Sequence, residues 1–192
     1  MKLESKILNG LERLSETLKA LLWEKAKIYE ISPIQIQILL FVSSHSPSIC
    51  NVSYLAKEFN VTKATISDAV KVLLKKDYLV KDYSPTDRRR FNLQISKSGN
   101  TLVNQLSDYA SPISDELSNF TETELIHTFD TISKLIFKLN QRDIIQIQRT
   151  CFNCHHYKGD KKSNHYCKLI ELKLKKQDIR LDCNEFEEKE SD

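Results

Sequence analysis

The chain has 192 residues and a net charge of +3, and 40% of its residues are hydrophobic, which is too high a fraction for a disordered protein. No apolar run approaches the ~20 residues that a membrane-spanning helix needs, and the charged start lacks the apolar core of a secretory signal, so a cytoplasmic protein without a membrane partner is expected. The three glycines form no glycine-rich loop for nucleotide phosphates.

Two helices are predicted at the start of the chain. Residues 3–29 place apolar side chains three and four positions apart, which is the spacing of one helix face. Ser32 and Pro33 fit the cap and first turn of a second helix. The apolar face of this second helix is predicted to be Ile34, Ile38, Leu39, Phe41 and Val42. A loop over residues 43–48 and a short strand over residues 49–52 follow.

The next segment predicts a helix-turn-helix. A small helix carries Leu55, Ala56 and Phe59, and Thr62 caps a second helix over residues 63–76. The core face of this second helix is predicted to be Ile66, Ala69, Val70, Leu73 and Leu74. Its other face is polar, which is the pattern of a helix that reads the major groove of DNA.

A basic hairpin follows the second helix of this motif. Residues 78–80 and the alternating residues 91–95 predict two strands, joined by a loop that ends in Arg88, Arg89 and Arg90. From residue 57 to residue 90 the chain carries nine Lys and Arg against five Asp and Glu, a local excess of positive charge that suits a phosphate backbone. The order of elements predicts a winged helix, in a fold that is mainly α with a small β-wing.

Two further helical segments are predicted after the wing. The first begins at residues 96–99 and is interrupted by Pro112, and the second begins with the capping-box pattern Thr121–Glu124 and extends to about residue 147. Helices on both sides of a small winged helix leave apolar stripes that its core cannot bury, which predicts a homodimer. The predicted domains are therefore 1–147 for DNA binding and dimerisation, and 148–192 for a separate module.

The ordered set of motifs from about residue 31 to residue 102 resembles the MarR family of bacterial transcriptional regulators. The matching segments are residues 31–35, Leu55-Ala56, residues 61–67, residues 74–80, and Asp87-Arg88-Arg89 followed by Leu93 and Ser98-Gly99. The resemblance implies a dimer that binds pseudo-palindromic operators and that a small molecule or an oxidant releases. It also implies that Asp87 and one wing arginine form a structural pair. Asp77 stands where the family often has glycine.

The candidate DNA-binding residues lie on the second helix of the motif and on the wing. Lys63 can reach phosphate or guanine, and the hydroxyls of Thr65 and Ser67 can donate to bases or phosphate. Asp68 would be repelled by phosphate and is expected to pair with a neighbour. The complete predicted set is Thr62, Lys63, Thr65, Ser67, Lys71, Arg88, Arg89 and Arg90.

The segment after residue 148 carries four clustered cysteines. Cys151, Cys154, Cys167 and Cys183 have the spacing C-x2-C-x12-C-x15-C, which favours a metal site in a cytoplasmic chain. Cys50 is far away and is expected to be a buried thiol. The tail resembles small four-cysteine modules in which Cys-x-x-Cys-x-x-Tyr precedes a lone Cys and an Asp-Cys-x-x-Phe motif, and its spacing is also similar to that of high-potential iron–sulfur proteins.

The chemistry of this cysteine set leaves two groups open. Four thiolates suit a tetrahedral Zn²⁺ ion or an iron–sulfur cluster, and zinc is favoured because the surrounding lysines and glutamates indicate a solvated module. His155, His156 and His165 are nearby alternatives, for which a surface location is expected because four cysteines complete a site.

Three functions compete at this stage. The leading hypothesis is a dimeric transcriptional regulator, most simply a repressor and not an enzyme, whose cysteine module is structural or sensory. The others are a thiol oxidoreductase that carries a DNA-binding domain, and an interaction protein whose tail docks a partner.

Overall fold

The computed structural model describes residues 1–83, 90–160 and 164–189. These residues form helices and two small antiparallel sheets, in agreement with the predicted fold class. The chain divides into two compact units, a first unit of Met1–Ala56 with Val61–Leu117 and a second unit of Lys57–Asn60 with Ser118–Asp192. The long helix after residue 121 therefore groups with the cysteine segment, whereas the predicted domain boundary at residue 147 would place it in the DNA-binding domain.

The first unit is built around one central helix. Its elements are α1 (Leu3–Ile28), α2 (Pro33–Ser44), α3 (Val52–Glu58, ending in the second unit), α4 (Lys63–Lys75), β1 (Leu79–Tyr83), β2 (Phe91–Ile95), α5 (Lys97–Leu106) and α6 (Ser111–Leu117). Helix α2 packs against α1, α4, α5 and β2. It is consequently buried on most sides: Gln35 and Ile36 are buried beside the predicted residues, and Ile34 is only half-buried.

The predicted strand over residues 49–52 is wrong. Pro47–Ile49 forms a single 3-10 turn and α3 begins at Val52. The Leu93 N–H donates to the Cys50 carbonyl at 2.7 Å, but this is one hydrogen bond and not a strand ladder. Proline at the start of the turn fixes φ and offers no N–H, which favours the turn over an extended strand.

The turn from α4 into the wing depends on two unusual backbone positions. Asp77 adopts φ +57°, the left-handed conformation for which glycine is preferred, and its carbonyl accepts hydrogen bonds from the Ser96 and Ser98 hydroxyls. A Cβ on Gly99 would lie 2.0 Å from the Tyr78 carbonyl oxygen, so only glycine permits this approach of α5 to the chain before β1. In the wing, β1 pairs antiparallel with β2, with Leu79 opposite Ile95 and Tyr83 opposite Phe91.

The second unit begins with the long helix α7 (Glu122–Asn140). Its predicted capping box is confirmed, because the Thr121 N–H donates to Glu124 Oε2 at 2.9 Å and the Glu124 N–H donates to Thr121 Oγ1 at 3.4 Å. The helix ends at Asn140 and not near residue 147 as predicted. The Asn140 side-chain amide donates to the Ile145 carbonyl at 2.7 Å, and Asp143 takes φ +57°, which together turn the chain out of the helix.

A three-stranded antiparallel sheet completes the second unit, with β3 (Tyr157–Gly159), β4 (His165–Cys167) and β5 (Leu172–Leu174) in that order. Its core consists of four buried residues, Cys154, Tyr157, Leu174 and Ile179. Among the described residues, none of the helices has both the length and the apolar character needed to cross a membrane.

Candidate nucleic-acid interface and cysteine cluster

Helix α4 presents a polar first turn above a buried apolar face. Ile66 and Leu73 are fully buried, Ala69 and Val70 nearly so, and Leu74 is half-buried. Thr62 caps the helix, since its Oγ1 accepts from the Thr65 N–H at 3.1 Å. The cap fixes where the helix begins, and the first turn of a recognition helix is the part whose side chains reach base edges in the major groove.

The predicted DNA-binding residues of α4 lie close together at the surface. Lys63 and Thr65 are exposed, Ser67 is half-buried, and the Thr62 and Thr65 hydroxyl oxygens are 2.9 Å apart. Lys71 Nζ is 2.8 Å from Asp68 Oδ1, with both side chains about three-quarters exposed. Asp68 therefore pairs with a neighbour as expected, and the pair is of the exposed kind that contributes little to stability.

The described part of the wing carries positive charge over aromatic rings. Lys81 Nζ lies 4.3 Å from the centroid of the Phe91 ring, and Gln94 Nε2 donates to Asp82 Oδ2 at 2.8 Å. Arg90 is exposed immediately before β2. Arg88 and Arg89, and the predicted pairing of Asp87 with a wing arginine, lie outside the described residues.

A polar cleft beside the wing was not foreseen from the sequence. It has a volume of about 480 Å³ and is lined by Asn51, Ser53, Arg90 and Asn92 with two apolar neighbours. Asn51 Oδ1 accepts from the Tyr54 N–H at 3.0 Å and so caps α3. An asparagine directly before a helix is a capping signal, and that signal would have directed attention to this position.

Two helices carry exposed apolar stripes. On α1 the stripe consists of Leu3, Ile7, Leu11, Leu14 and Leu18, at spacings of three and four residues. On α7 the stripe consists of Leu125, Ile132 and Leu135. Such regular apolar stripes are the usual mark of a helix that packs against another protein surface.

The four cysteines that were predicted to bind a metal all line one cavity. Cys151, Cys154, Cys167 and Cys183 line one small cavity of about 30 Å³, together with His156, Tyr157, Leu169, Leu174 and Glu185. All four are free thiols. The Arg180 N–H donates to Cys151 Sγ at 3.3 Å, and Arg180 Nη1 lies 3.8 Å from Cys183 Sγ. Cys50, the fifth cysteine, is fully buried in the first unit as expected.

Burial raises the pKa of the Cys151 thiol above its ordinary value, and repulsion by negative charge on the other three cysteines, in their thiolate form, raises it further. The Arg180 N–H acts in the opposite direction because it stabilises the thiolate. Within the described residues, no three His, Cys, Asp or Glu side chains form a preformed group that could hold a metal ion. The four thiols thus share one cavity without the closed geometry of a finished site.

The three histidines near the cysteines differ in how deeply they are buried. His155 is exposed as expected, and His156 is half-buried with Nε2 3.3 Å from Glu187 Oε2. The expectation of a surface location is wrong for His165, which is buried. Its Nδ1 lies 2.7 Å from the Tyr157 hydroxyl, so a structural hydrogen bond accounts for its burial.

Arg149 is the main structural residue of the second unit that the sequence analysis missed. Its side chain is 4% exposed and is bound at both ends of the guanidinium. Nε and Nη2 donate to the two Asp182 carboxylate oxygens at 2.7 and 3.0 Å, and Nη1 and Nη2 donate to the two Glu58 oxygens at 2.6 and 2.9 Å. The Arg149 carbonyl accepts from the Cys183 N–H at 3.0 Å, which connects this network to the cysteine cluster.

A protein-family model matches part of the chain. Residues 29–90 match the model of the MarR family. The match contains α2, α3, α4 and β1, and so it includes the polar face of α4. No curated protein matches the chain at a significant level.

Solved structures share the fold. Staphylococcus aureus MarR in complex with salicylate and kanamycin is 16% identical, with 72% of this chain and 93% of that chain covered and a TM-score of 0.62. Streptococcus pneumoniae FabT in complex with DNA is 19% identical, with 72% and 98% covered and a TM-score of 0.60. The S. aureus MepR–DNA complex is 22% identical, with 67% and 95% covered and a TM-score of 0.58. The family match and these likenesses support a winged helix of the MarR type.

Proposed function

We propose that this chain is a sequence-specific DNA-binding transcriptional regulator of the MarR type that works as a homodimer, with a repressor as the simplest form. The observation that carries the proposal is the capped, polar first turn of α4 above a largely buried apolar face, within the segment that matches the MarR family. Two of the structures that share the fold are complexes with DNA.

Each polar residue has a role in this proposal. Lys63 and Thr65 occupy the first turn of α4, where side chains reach base edges in the major groove, and Thr62 and Ser67 flank them. Lys71 lies two turns further along and is assigned to phosphate. Arg90, together with Arg88 and Arg89 directly before it in the sequence, is assigned to the minor groove, where narrow segments attract arginine.

The homodimer is supported by the apolar stripe on each of α1 and α7. A second copy of the chain offers the same stripes, and twofold symmetry in the protein would match the two half-sites of a pseudo-palindromic operator. Analytical ultracentrifugation of the full chain tests this part: a dimer is expected, and a monomer at micromolar concentration would contradict it.

Selection of binding sites from random double-stranded DNA tests the regulator proposal. The wild type is expected to select a pseudo-palindrome, with an affinity that falls steeply as salt is raised. Lys63→Ala and Thr65→Ala are expected to change the selected bases or to lose about 1–3 kcal/mol of binding free energy. Arg88/Arg89/Arg90→Ala is expected to weaken binding.

The matched control for these substitutions is Lys19→Ala, since Lys19 is an exposed lysine on α1 whose side chain pairs only locally with Glu16. Its affinity and selected sequence should equal those of the wild type. The proposal would be refuted if the wild type selected no sequence. It would also be refuted if all of the α4 and wing variants selected the same motif as the wild type with the same affinity.

We propose in addition that Cys151, Cys154, Cys167 and Cys183 hold a Zn²⁺ ion. The support is their shared cavity of about 30 Å³, which is room for an ion or for one to two water molecules and favours a single ion over a larger iron–sulfur cluster. The N–H donors of Arg180 beside two of the sulfurs would stabilise thiolates. Zinc would supply a cross-link among four thiolates, as in structural sites.

Metal analysis of anaerobically purified protein tests the choice of group. One zinc per chain in colourless protein is expected, and broad visible absorbance with bound iron would instead establish a cluster. Thiol titration addresses the oxidoreductase hypothesis: four protected thiols exclude it, whereas an exposed reactive pair without metal would favour it.

A further comparison separates a sensory site from a structural one. If the site is sensory, Cys183→Ser is expected to lower operator affinity at a temperature at which the variant remains folded. A lower melting temperature with unchanged affinity would assign the site to stability alone.

A further inference from the structure

The second unit contains a larger cavity that is separate from the cysteine cavity. It has a volume of about 470 Å³, within the range of small-molecule sites, and opens between α7 and the segments around residues 148–152 and 176–181. Phe137 and Phe152 supply aromatic walls, and Ile179 and Leu181 supply aliphatic walls. A molecule that enters this cavity meets a predominantly apolar surface.

One polar atom in the cavity wall lacks a partner. Gln148 Oε1 is inaccessible to solvent and makes no hydrogen bond within the described residues. A buried carbonyl oxygen without a hydrogen bond costs about 1–3 kcal/mol. Gln148 as a whole is only half-buried, so a rotation of its side chain can turn this oxygen into the cavity, where a ligand O–H or N–H group would bind it and remove that cost. The cavity therefore favours a ligand with a donor on its inner end.

The charged residues of the cavity favour one sign of charge at the outer end of the ligand. Asp130 accepts from Lys134 Nζ at 2.6 Å and from Lys176 Nζ at 2.8 Å. These hydrogen bonds lower the pKa of the Asp130 carboxyl, so it is ionised at neutral pH. Two lysines against one carboxylate leave an excess of one positive charge, which disfavours a cation and suits an anionic group.

This cavity and the apolar stripe assigned to the dimer lie on different faces of α7. Phe129, Ser133 and Phe137 line the cavities beside α7, whereas Leu125, Ile132 and Leu135 form the exposed stripe. At 100° per residue the centres of these two sets are separated by roughly 120° around the helix. A second copy packed on the stripe would therefore leave the cavity face available.

We infer that this cavity is a binding site for a small, largely apolar molecule that carries an O–H or N–H donor at its buried end and an anionic group at its mouth. The regulatory role of the site rests on the proposed function: the occupant would touch Phe152, the residue after Cys151, and α7, which carries an apolar stripe. Its binding would thus act on the cysteine cluster and on the dimer helix together.

The test uses 8-anilino-1-naphthalenesulfonate, an aromatic probe that has both an N–H donor and a sulfonate, with the full-length protein. Saturable binding with fluorescence enhancement is expected. Ser133→Leu fills the cavity from α7 and is expected to abolish that binding. Thr131→Leu is its matched control, because Thr131 is exposed and makes the same kind of hydrogen bond to the carbonyl four residues earlier.

A second pair of variants keeps the cavity open. Gln148→Leu removes the unpaired acceptor with little change of size and is expected to weaken binding about 2- to 12-fold, the effect of one hydrogen bond. Gln146→Leu is the control at an exposed position. N-phenyl-1-naphthylamine, which has the N–H donor but no sulfonate, is expected to bind more weakly than the sulfonate to the wild type.

The inference would be overturned if the wild type, Ser133→Leu and Gln148→Leu bound the sulfonate probe with equal affinity, because the probe would then bind elsewhere. The absence of saturable binding to the wild type would overturn it as well. DNA binding is measured on the same preparations. If the wild type binds the probe, Ser133→Leu does not, and the protein selects no DNA, the regulator proposal is refuted and the cavity inference is retained. If the protein selects DNA but its probe binding is absent or is the same in Ser133→Leu, the cavity inference alone is refuted.

Discussion

The two units of this chain bury different kinds of side chain. In the first unit the fully buried residues are aliphatic apart from Cys50, and they include Ile36, Ile38, Leu39, Leu55, Ile66, Leu73, Leu79, Leu93 and Leu106. In the second unit the buried set is small, and it mixes Leu174 and Ile179 with Cys154, Tyr157, Arg149, Thr150 and His165. The first unit is thus stabilised by apolar burial, and the second by directed polar contacts.

This difference has a consequence for stability. Apolar burial is non-directional and is spread over many side chains, so one change removes a part of it. A network of ion pairs and thiols depends on a few groups, and the loss of one member leaves the others buried without partners. The second unit is therefore expected to unfold independently when one polar group or a bound metal is removed.

The largest expected effect is that of chelation. If the cysteines hold zinc, a strong chelator should unfold the second unit and leave the first unit folded, because so small a core is insufficient without the metal. Structural zinc sites contribute about 10–16 kcal/mol of apparent binding free energy. Differential scanning calorimetry should show one transition disappear.

The control for chelation is a comparison of cysteine variants. Cys183→Ser should lose bound zinc, whereas Cys50→Ser should keep it, since Cys50 lies in the core of the first unit. A calorimetric trace that is the same with and without chelator would show that the second unit is stable by itself.

The second prediction concerns the buried arginine. Arg149→Met removes an ion-pair partner from both Glu58 and Asp182. Loss of one member of a fully buried ion pair costs about 3–5 kcal/mol, and a smaller loss is expected here because the Asp182 side chain is 51% exposed. Urea denaturation should show this loss in the transition of the second unit. Arg142→Met, at an exposed position seven residues earlier, should unfold like the wild type; an equal loss in both variants would indicate a general effect of charge removal.

The contrast between the units also explains what the sequence could predict. The helices of the first unit and the core face of α4 follow from apolar residues at spacings of three and four, a signal that depends only on neighbours in sequence. Caps at Ser32, Thr62 and Thr121 are equally local. These features were predicted correctly because tertiary packing reinforces the local preference. An exception is Pro112, which was predicted to interrupt a helix but lies in the first turn of α6, after α5 has ended at Leu106.

The errors arise where distant residues decide the structure. The end of α7 at Asn140 depends on a hydrogen bond to Ile145 and on a left-handed Asp143, and the apolar pattern of the sequence continues past both. Arg149 is one of 29 basic residues, and only its two distant carboxylates distinguish it. The cysteine cluster was found because the spacing of thiols is itself a local signal, but the cavity at Gln148 has no such signal.

A third prediction measures the apolar core of the first unit. Leu39→Ala is expected to cost about 2–5 kcal/mol, because Leu39 is fully buried on the central helix α2. The loss should appear in the transition of the first unit only. Leu40→Ala is the control, since Leu40 is half-buried on the same helix and should cost less. An equal shift of both calorimetric transitions would mean that the units unfold together.

The smallest expected effect is a pH dependence of the stability of each unit, to which one carboxylate in each unit contributes. Hydrogen bonding to Lys25 lowers the pKa of Asp108 in the first unit, and hydrogen bonds to Lys134 and then to Lys176 lower the pKa of Asp130 in the second. A carboxyl whose pKa is lower in the folded state stabilises it above the unfolded pKa of about 4, and that contribution is lost as the pH falls through the lower folded value. Asp130→Asn should therefore destabilise the second unit at pH 6, and this difference from the wild type should shrink as the pH falls below the unfolded pKa of about 4. Asp108→Asn should do the same in the first unit, and melting temperatures measured from pH 6 to pH 3 distinguish the effects of the two substitutions.

Asp130 joins α7 to the segment at Lys176. If polar contacts stabilise the second unit more than the first, Asp130→Asn should therefore have a larger effect on the melting temperature than Asp108→Asn. A larger effect of Asp108→Asn would contradict the contrast between the units.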